Sequence, residues 1–115
     1  MSYSRGDVVL VLFPDSSLRT AKRRPALVVQ RDDLQSGLKQ TIVAMISSNL
    51  SRVGHPSRIA VTLNSPEGRR TGLRTDSVIL TENLATIVER EIERTIGNLG
   101  SMDRVDAALR HTLSL

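Results

Sequence analysis

The stretch Lys22-Arg23-Arg24-Pro25-Ala26-Leu27-Val28-Val29-Gln30 sets three consecutive cations directly ahead of a proline and an apolar run. A buried strand has no need of guanidinium groups at its entrance, so the cluster points to an anionic partner. Pro25 disfavours helical backbone in the residue before it, which holds Arg24 extended at a strand mouth. From there its planar fork of N–H donors suits phosphate or carboxylate oxygens. The plainer reading is a solvated loop cation. Arg74 and Asp76 lie two residues apart at the start of another apolar segment and project to one side if the chain is extended there. They read equally well as a surface ion pair worth ~0–1 kcal/mol.

Other candidates are weaker. The chain has two histidines, His55 and His111, and His111 falls on the closing helix, which argues against a paired-histidine acid–base site. Asp32 and Asp33 have no third ligand at a recognisable spacing and read as a turn or cap. Glu89, Glu91 and Glu93 alternate with Arg90, Ile92 and Arg94, the pattern of a solvated edge or loop.

The elements that must position these residues come from a chain of 115 residues, enough for one domain, 39% hydrophobic and 24% charged. A net charge of +4 and a pI of about 10.6 favour nucleic acid, acidic peptide or anionic lipid as partner. Tyr3 and Phe13 are the only aromatic residues, which excludes a base-stacking platform of several rings. Cysteine is absent, so disulfides and thiolate zinc sites are excluded, and a reducing compartment fits. No apolar run has membrane-spanning length, and the N-terminal run lacks a small-residue cleavage site, so neither membrane insertion nor secretion is expected.

Strands are expected at Asp7–Phe13, Pro25–Gln30, Thr41–Ser47, Arg58–Leu63 and Asp76–Leu80, with short additions in Leu84–Val88 and Arg94–Leu99. Polar connections fill Pro14–Arg24 and Ser48–Ser57, and Asp32 or Asp33 could cap a short helical turn ending at Gly37. Met102, Val105, Leu109 and Leu113 fall on one face of a C-terminal helix that Ser101 is placed to cap. Short strands closed by one helix suggest a small, strongly bent sheet or partly closed barrel.

Taken in order, "RGDVVLVLFP", "RRPALVVQ", "TIVAMISSN", "TGLRTDSVILTENLATI" and "MDRVDAALRHTLSL" resemble the MazF/PemK family of bacterial toxins from Arg5 to Leu113. The resemblance implies a mainly β fold over residues 1–115: an SH3-like small barrel of bent antiparallel strands with a C-terminal helix, usually a homodimer. It implies the toxin of a type II toxin–antitoxin pair. Such a toxin is a cytoplasmic, metal-independent, sequence-selective endoribonuclease without cofactors, and an antitoxin with an acidic tail covers its RNA groove. The chain departs from the family pattern in its first loop, which lacks a Ser-Glu-Gln stretch. It also carries Ser47 where threonine is usual, which keeps the hydroxyl but loses the methyl that restricts its rotamers.

Metal-free RNA cleavage lets the 2′-hydroxyl attack the adjacent phosphorus, leaving a 2′,3′-cyclic phosphate and a 5′-hydroxyl. It needs a base, positive charge on the phosphate oxygens, and an acid for the leaving oxygen. With the resemblance, Arg24, Ser47, Arg74 and Asp76 become the catalytic candidates. Asp76 would be the base, Ser47 a hydrogen-bond donor to a non-bridging oxygen, and Arg24 and Arg74 a phosphate clamp. One of the arginines, or water, would protonate the leaving oxygen. Lys22, Arg23, Arg52, Arg69 and Arg70 would bind RNA or extend the positive field. Two rival readings on the same fold are a non-enzymatic CcdB-like gyrase poison and an inactive RNA-binding module.

Overall fold

Valine, leucine and isoleucine crowd the first and third strand segments on successive residues rather than alternate ones, which calls for a sheet covered on both faces. The computed structural model, which describes residues 3–14 and 21–115, has that arrangement. Its elements are β1 (Asp7–Pro14), β2 (Ala21–Val28), β3 (Gln40–Ser47), β4 (Arg58–Val61), α1 (Pro66–Arg70), β5 (Ser77–Val88), β6 (Ile92–Asn98) and α2 (Asp103–Leu113). All six strands form one antiparallel sheet in the order β4-β5-β3-β2-β1-β6. The edge strands β4 and β6 do not pair with each other. The fold is therefore the expected mainly β class with a closing helix, built as an open, bent sheet.

Alternation sorts the central strands into two apolar layers. Val8, Leu27, Ala44 and Ile46 pack with Ile79, Leu99 and the α2 residues Val105 and Ala108. Val9, Val11, Ala26, Val28, Val43 and Met45 turn the other way and pack with Ile87 and Ile92. Burying a side chain such as Leu27, which is fully enclosed, contributes roughly 1.5–3 kcal/mol.

Several boundaries differ from the expected ones: Asp76–Leu80 and Leu84–Val88 run together in the single strand β5, β4 stops at Val61, and β6 already starts at Ile92. The polar connection is shorter than expected, because Ala21–Arg24 already belongs to β2 and pairs with β1 through Val11↔Arg24, Leu12↔Arg23 and Phe13↔Lys22. No helix forms at Asp32 or Asp33, where Asp33 takes a left-handed φ of 57° and Asp32 Oδ1 accepts the Arg5 N–H at 2.7 Å. The turn-rich connection contains α1, started by Ser65 Oγ accepting the Gly68 N–H at 2.9 Å, with Pro66 and Glu67 in the first turn.

The helix α2 begins at Asp103 with Met102 as its cap residue, while Ser101 Oγ accepts the Asp103 N–H at 3.3 Å. Thr81 joins the helix to the sheet: its buried hydroxyl donates to the Ser57 carbonyl at 2.6 Å and lies 2.7 Å from the Thr112 hydroxyl.

Candidate functional site

The ladder between β2 and β3 holds from Val28↔Val43 to Ala26↔Met45 and goes no further. Beyond it the strands part, and a groove of about 990 Å³ opens between them. Lys22–Pro25 of β2 form one side and the end of β3, Ile46–Ser48, another. The segment Gly72–Thr75 with Ser77 and the β6 residues Glu93–Ile96 complete it, while Leu10 and Ile46 supply apolar lining. Pro25 sits where β3 no longer pairs, so its missing N–H costs no ladder bond on that side.

Arg24, Ser47 and Arg74 line this one groove, together with Lys22 and Arg23. Arg24 and Ser47 each lie two residues past the last pair, Ala26↔Met45, on the two diverging strands. Ser47 Oγ accepts the Asn49 N–H at 3.1 Å, which leaves its own proton to donate.

Asp76 does not line the groove. The chain bends at Arg74 and Thr75 instead of running extended, so the expected same-side projection does not arise. Asp76 Oδ1 accepts the Leu63 N–H at 2.8 Å, just beyond the last β4–β5 pair, Val61↔Ser77. The side chain thereby extends a ladder that the backbone has left.

Arg52, Arg69 and Arg70 also lie outside the groove lining. Arg52 closes a 3-10 turn at Leu50–Arg52, and Arg69 and Arg70 form the last turn of α1. His55 and His111 meet edge to face at 6.1 Å, and neither lines the groove.

Sequence reasoning missed the contribution of β6. Strict alternation cannot bring four consecutive residues to one groove, yet Glu93, Arg94, Thr95 and Ile96 all line it. Two register shifts against β1 make this possible. Leu10↔Arg94 is followed by Val11↔Ile92, leaving Glu93 as an extra residue, and Val8↔Gly97 with Val9↔Thr95 leaves Ile96 as another. Gly97 inside the strand was the one available signal, since a strand glycine marks a bulge or a close backbone approach.

Glu93 forms an ion pair with Arg23 at 2.5 Å, the two side chains 37% and 66% exposed. Among the described residues that line the groove, Lys22, Arg23, Arg24, Arg74 and Arg94 are cationic and Glu93 alone is a carboxylate. Among the described residues no cluster of three or more His, Cys, Asp or Glu is placed to hold a metal. No helix there is long and apolar enough to cross a membrane.

A family model for the PemK-like, MazF-like toxins of type II toxin–antitoxin systems matches residues 4–113. The chain belongs to this family. Its relatives include the endoribonuclease EndoA of Bacillus subtilis, 32% identical over all of this chain and 97% of that protein. The endoribonuclease MazF6 of Mycobacterium tuberculosis is 31% identical over the whole of both chains. Among solved structures, a mycobacterial endoribonuclease in complex with its cognate antitoxin superposes with a TM-score of 0.75 at 16% identity, covering 99% of this chain and 97% of that one. A MazE–MazF structure from Deinococcus radiodurans gives 0.70 at 19% identity, covering 100% and 98%. At such identities these likenesses speak to the PemK/MazF fold alone.

Proposed function

We propose that this PemK/MazF-like toxin is a single-domain endoribonuclease that cuts single-stranded RNA without a metal, leaving 2′,3′-cyclic phosphate and 5′-hydroxyl ends. The observation that carries the reading is the convergence of Arg24, Arg74 and Ser47 on one cationic groove. Cleavage by an internal hydroxyl asks the protein mainly for preorganised donors around the phosphate, and that trio supplies them. Arg24 and Arg74 hold the non-bridging oxygens, Ser47 donates to one of them, and a water protonates the leaving 5′ oxygen, because arginine at neutral pH is a poor acid.

Lys22 and Arg23 contact the RNA backbone within the groove. Arg52, Arg69 and Arg70 act at longer range, adding to the field that draws a polyanion in. Asp76, the active-site base implied by the family resemblance, takes a positioning part in this proposal. Its bond to the Leu63 N–H pins the bend that presents Arg74.

The toxin acts on cellular RNA in the cytoplasm as a homodimer. Its antitoxin lays an acidic segment over the same cations that hold phosphate, so inhibition and catalysis compete for one surface. Incubating a long single-stranded RNA with wild type and Arg24→Ala in EDTA tests the reading. Wild type is expected to give discrete fragments with cyclic-phosphate ends and the variant none. Intact RNA with folded wild type, across several mixed-sequence substrates, overturns it in favour of a non-enzymatic toxin or RNA binder.

A further inference from the structure

We propose that Glu93 is the general base of this cleavage, an inference that rests on the ribonuclease reading above. Three observations carry it. Glu93 is the only carboxylate among the described residues lining a groove with five cationic side chains. It reaches that groove because β6 is bulged at this residue, and bulges commonly re-aim side chains beside active sites. It is held by Arg23, a groove cation directly before Arg24 in the chain.

Stability does not account for this carboxylate. A solvent-exposed ion pair is worth about 0–1 kcal/mol, while a negative charge in a groove for a polyanion repels the ligand. A proton-accepting role explains the placement. When a phosphodiester takes over Arg23, the carboxylate is released from its ion pair beside the bound phosphate and can accept a proton.

In the step, a Glu93 carboxylate oxygen takes the proton from O2′, the O2′–P bond forms and the P–O5′ bond breaks. The 5′ oxygen leaves with a proton from water, the hydroxide so formed takes the proton from Glu93 to restore the carboxylate, and the cyclic phosphate remains on the other fragment. No electrons are exchanged and no co-reactant is required. The charged groups facing Glu93 in the groove are Arg23, Arg24 and Lys22 from β2, Arg74 from the β5 approach and Arg94 from β6. All of these are cations, which leaves Glu93 as the one carboxylate among the described groove residues that can accept a proton.

Single-turnover cleavage of one RNA at saturating toxin tests the assignment with wild type, Glu93→Gln and Arg23→Ala, each shown folded by circular dichroism. Glu93→Gln is expected to lose about 10²–10⁴-fold in rate at saturation, bind the RNA at least as tightly as wild type, and lose the acid limb of the pH–rate profile. Arg23→Ala breaks the same ion pair but keeps the carboxylate, so it is expected to weaken binding while its rate at saturation falls far less. Equal losses in the two variants make Glu93 only an anchor for Arg23 and overturn the proposal. So does a Glu93→Gln variant that keeps the wild-type rate, an outcome that leaves the ribonuclease reading standing. Failure of wild type to cut removes both.

Discussion

A Cβ placed on Gly72 would stand 2.0 Å from the carbonyl oxygen of Ile96, so the turn before Arg74 lies against the bulged part of β6 with no room for a side chain. Gly97 repeats the contact from the other side, its absent Cβ falling 2.2 Å from the Arg70 carbonyl oxygen. Two glycines thus bring two walls of the groove together. Gly97→Ala is expected to cost roughly 1–3 kcal/mol through overpacking and to lower cleavage by moving the Arg74 segment off β6. Urea unfolding midpoints and cleavage rates on one preparation check both effects.

Arg24 and Arg74 are exposed, so their removal leaves the fold alone. Each change to alanine is expected to slow cleavage by about 10²–10³-fold, the usual loss for one donor in a charge-stabilising site. Ser47→Ala, which removes a neutral donor, is expected to cost less. Initial rates with unchanged thermal midpoints are the measurement.

Salt dependence separates contact from distant field. For single-stranded nucleic acid the slope of log K against log salt changes by about 0.7 per phosphate contact. Arg23→Ala and Lys22→Ala are each expected to flatten the slope by about that amount, whereas Arg69→Ala leaves it nearly unchanged. Fluorescence anisotropy across a salt series with a non-cleavable 2′-deoxy strand provides the readout.

Asp76 offers a discrimination that needs only two substitutions. Asparagine keeps an oxygen able to accept the Leu63 N–H, and alanine does not. Asp76→Asn is expected to retain most of the cleavage rate and Asp76→Ala to lose it along with local order. Loss in both, with the fold intact, would return Asp76 to the role of base.

Arg58 donates to both carboxylate oxygens of Glu82, Nε to Oε1 at 2.8 Å and Nη2 to Oε2 at 2.6 Å, and the Ser57 hydroxyl adds a third bond at 2.6 Å. The Arg58 bonds first, then that of Ser57, lower the Glu82 pKa to about 2. A carboxylate depressed in the folded state adds stability above its unfolded pKa and loses it as pH falls through the folded value. Thermal midpoints of wild type are therefore expected to drop between about pH 4.5 and pH 2, and those of Glu82→Gln to drop less over the same range.

The strands most legible in the sequence were those whose apolar residues had nowhere else to go. β1 and β3 matched their Val, Leu and Ile runs to within a residue, because both faces of these strands are covered. β2 was read short because Lys22, Arg23 and Arg24 carry no burial signal. What holds them in the strand is backbone pairing to β1, which leaves no trace in side-chain type. At the site, Arg24, Ser47 and Arg74 could be named because cations before a proline and a strand-end hydroxyl are local features that a family resemblance can weigh. Glu93 could not, since its placement depends on a register shift between strands far apart in the chain. Asp76 failed to reach the groove for a similar reason: two residues of bend replaced two residues of strand.

Between Asp7↔Asn98 and Val11↔Ile92, seven residues of β6 cover five of β1. Each surplus residue is taken up by its own bulge, so the pairs on either side of it keep a common face: Ile92 and Thr95, three residues apart, lie opposite Val11 and Val9, which pack in one layer. β1 thus keeps its alternation while β6 gives up its own, and Leu99 still arrives in the core. Removing one surplus residue is therefore expected to leave its neighbours facing as they do now and to straighten β6 at that point. Deletion at Glu93 would then leave Leu99 in the core while taking the carboxylate off the groove wall.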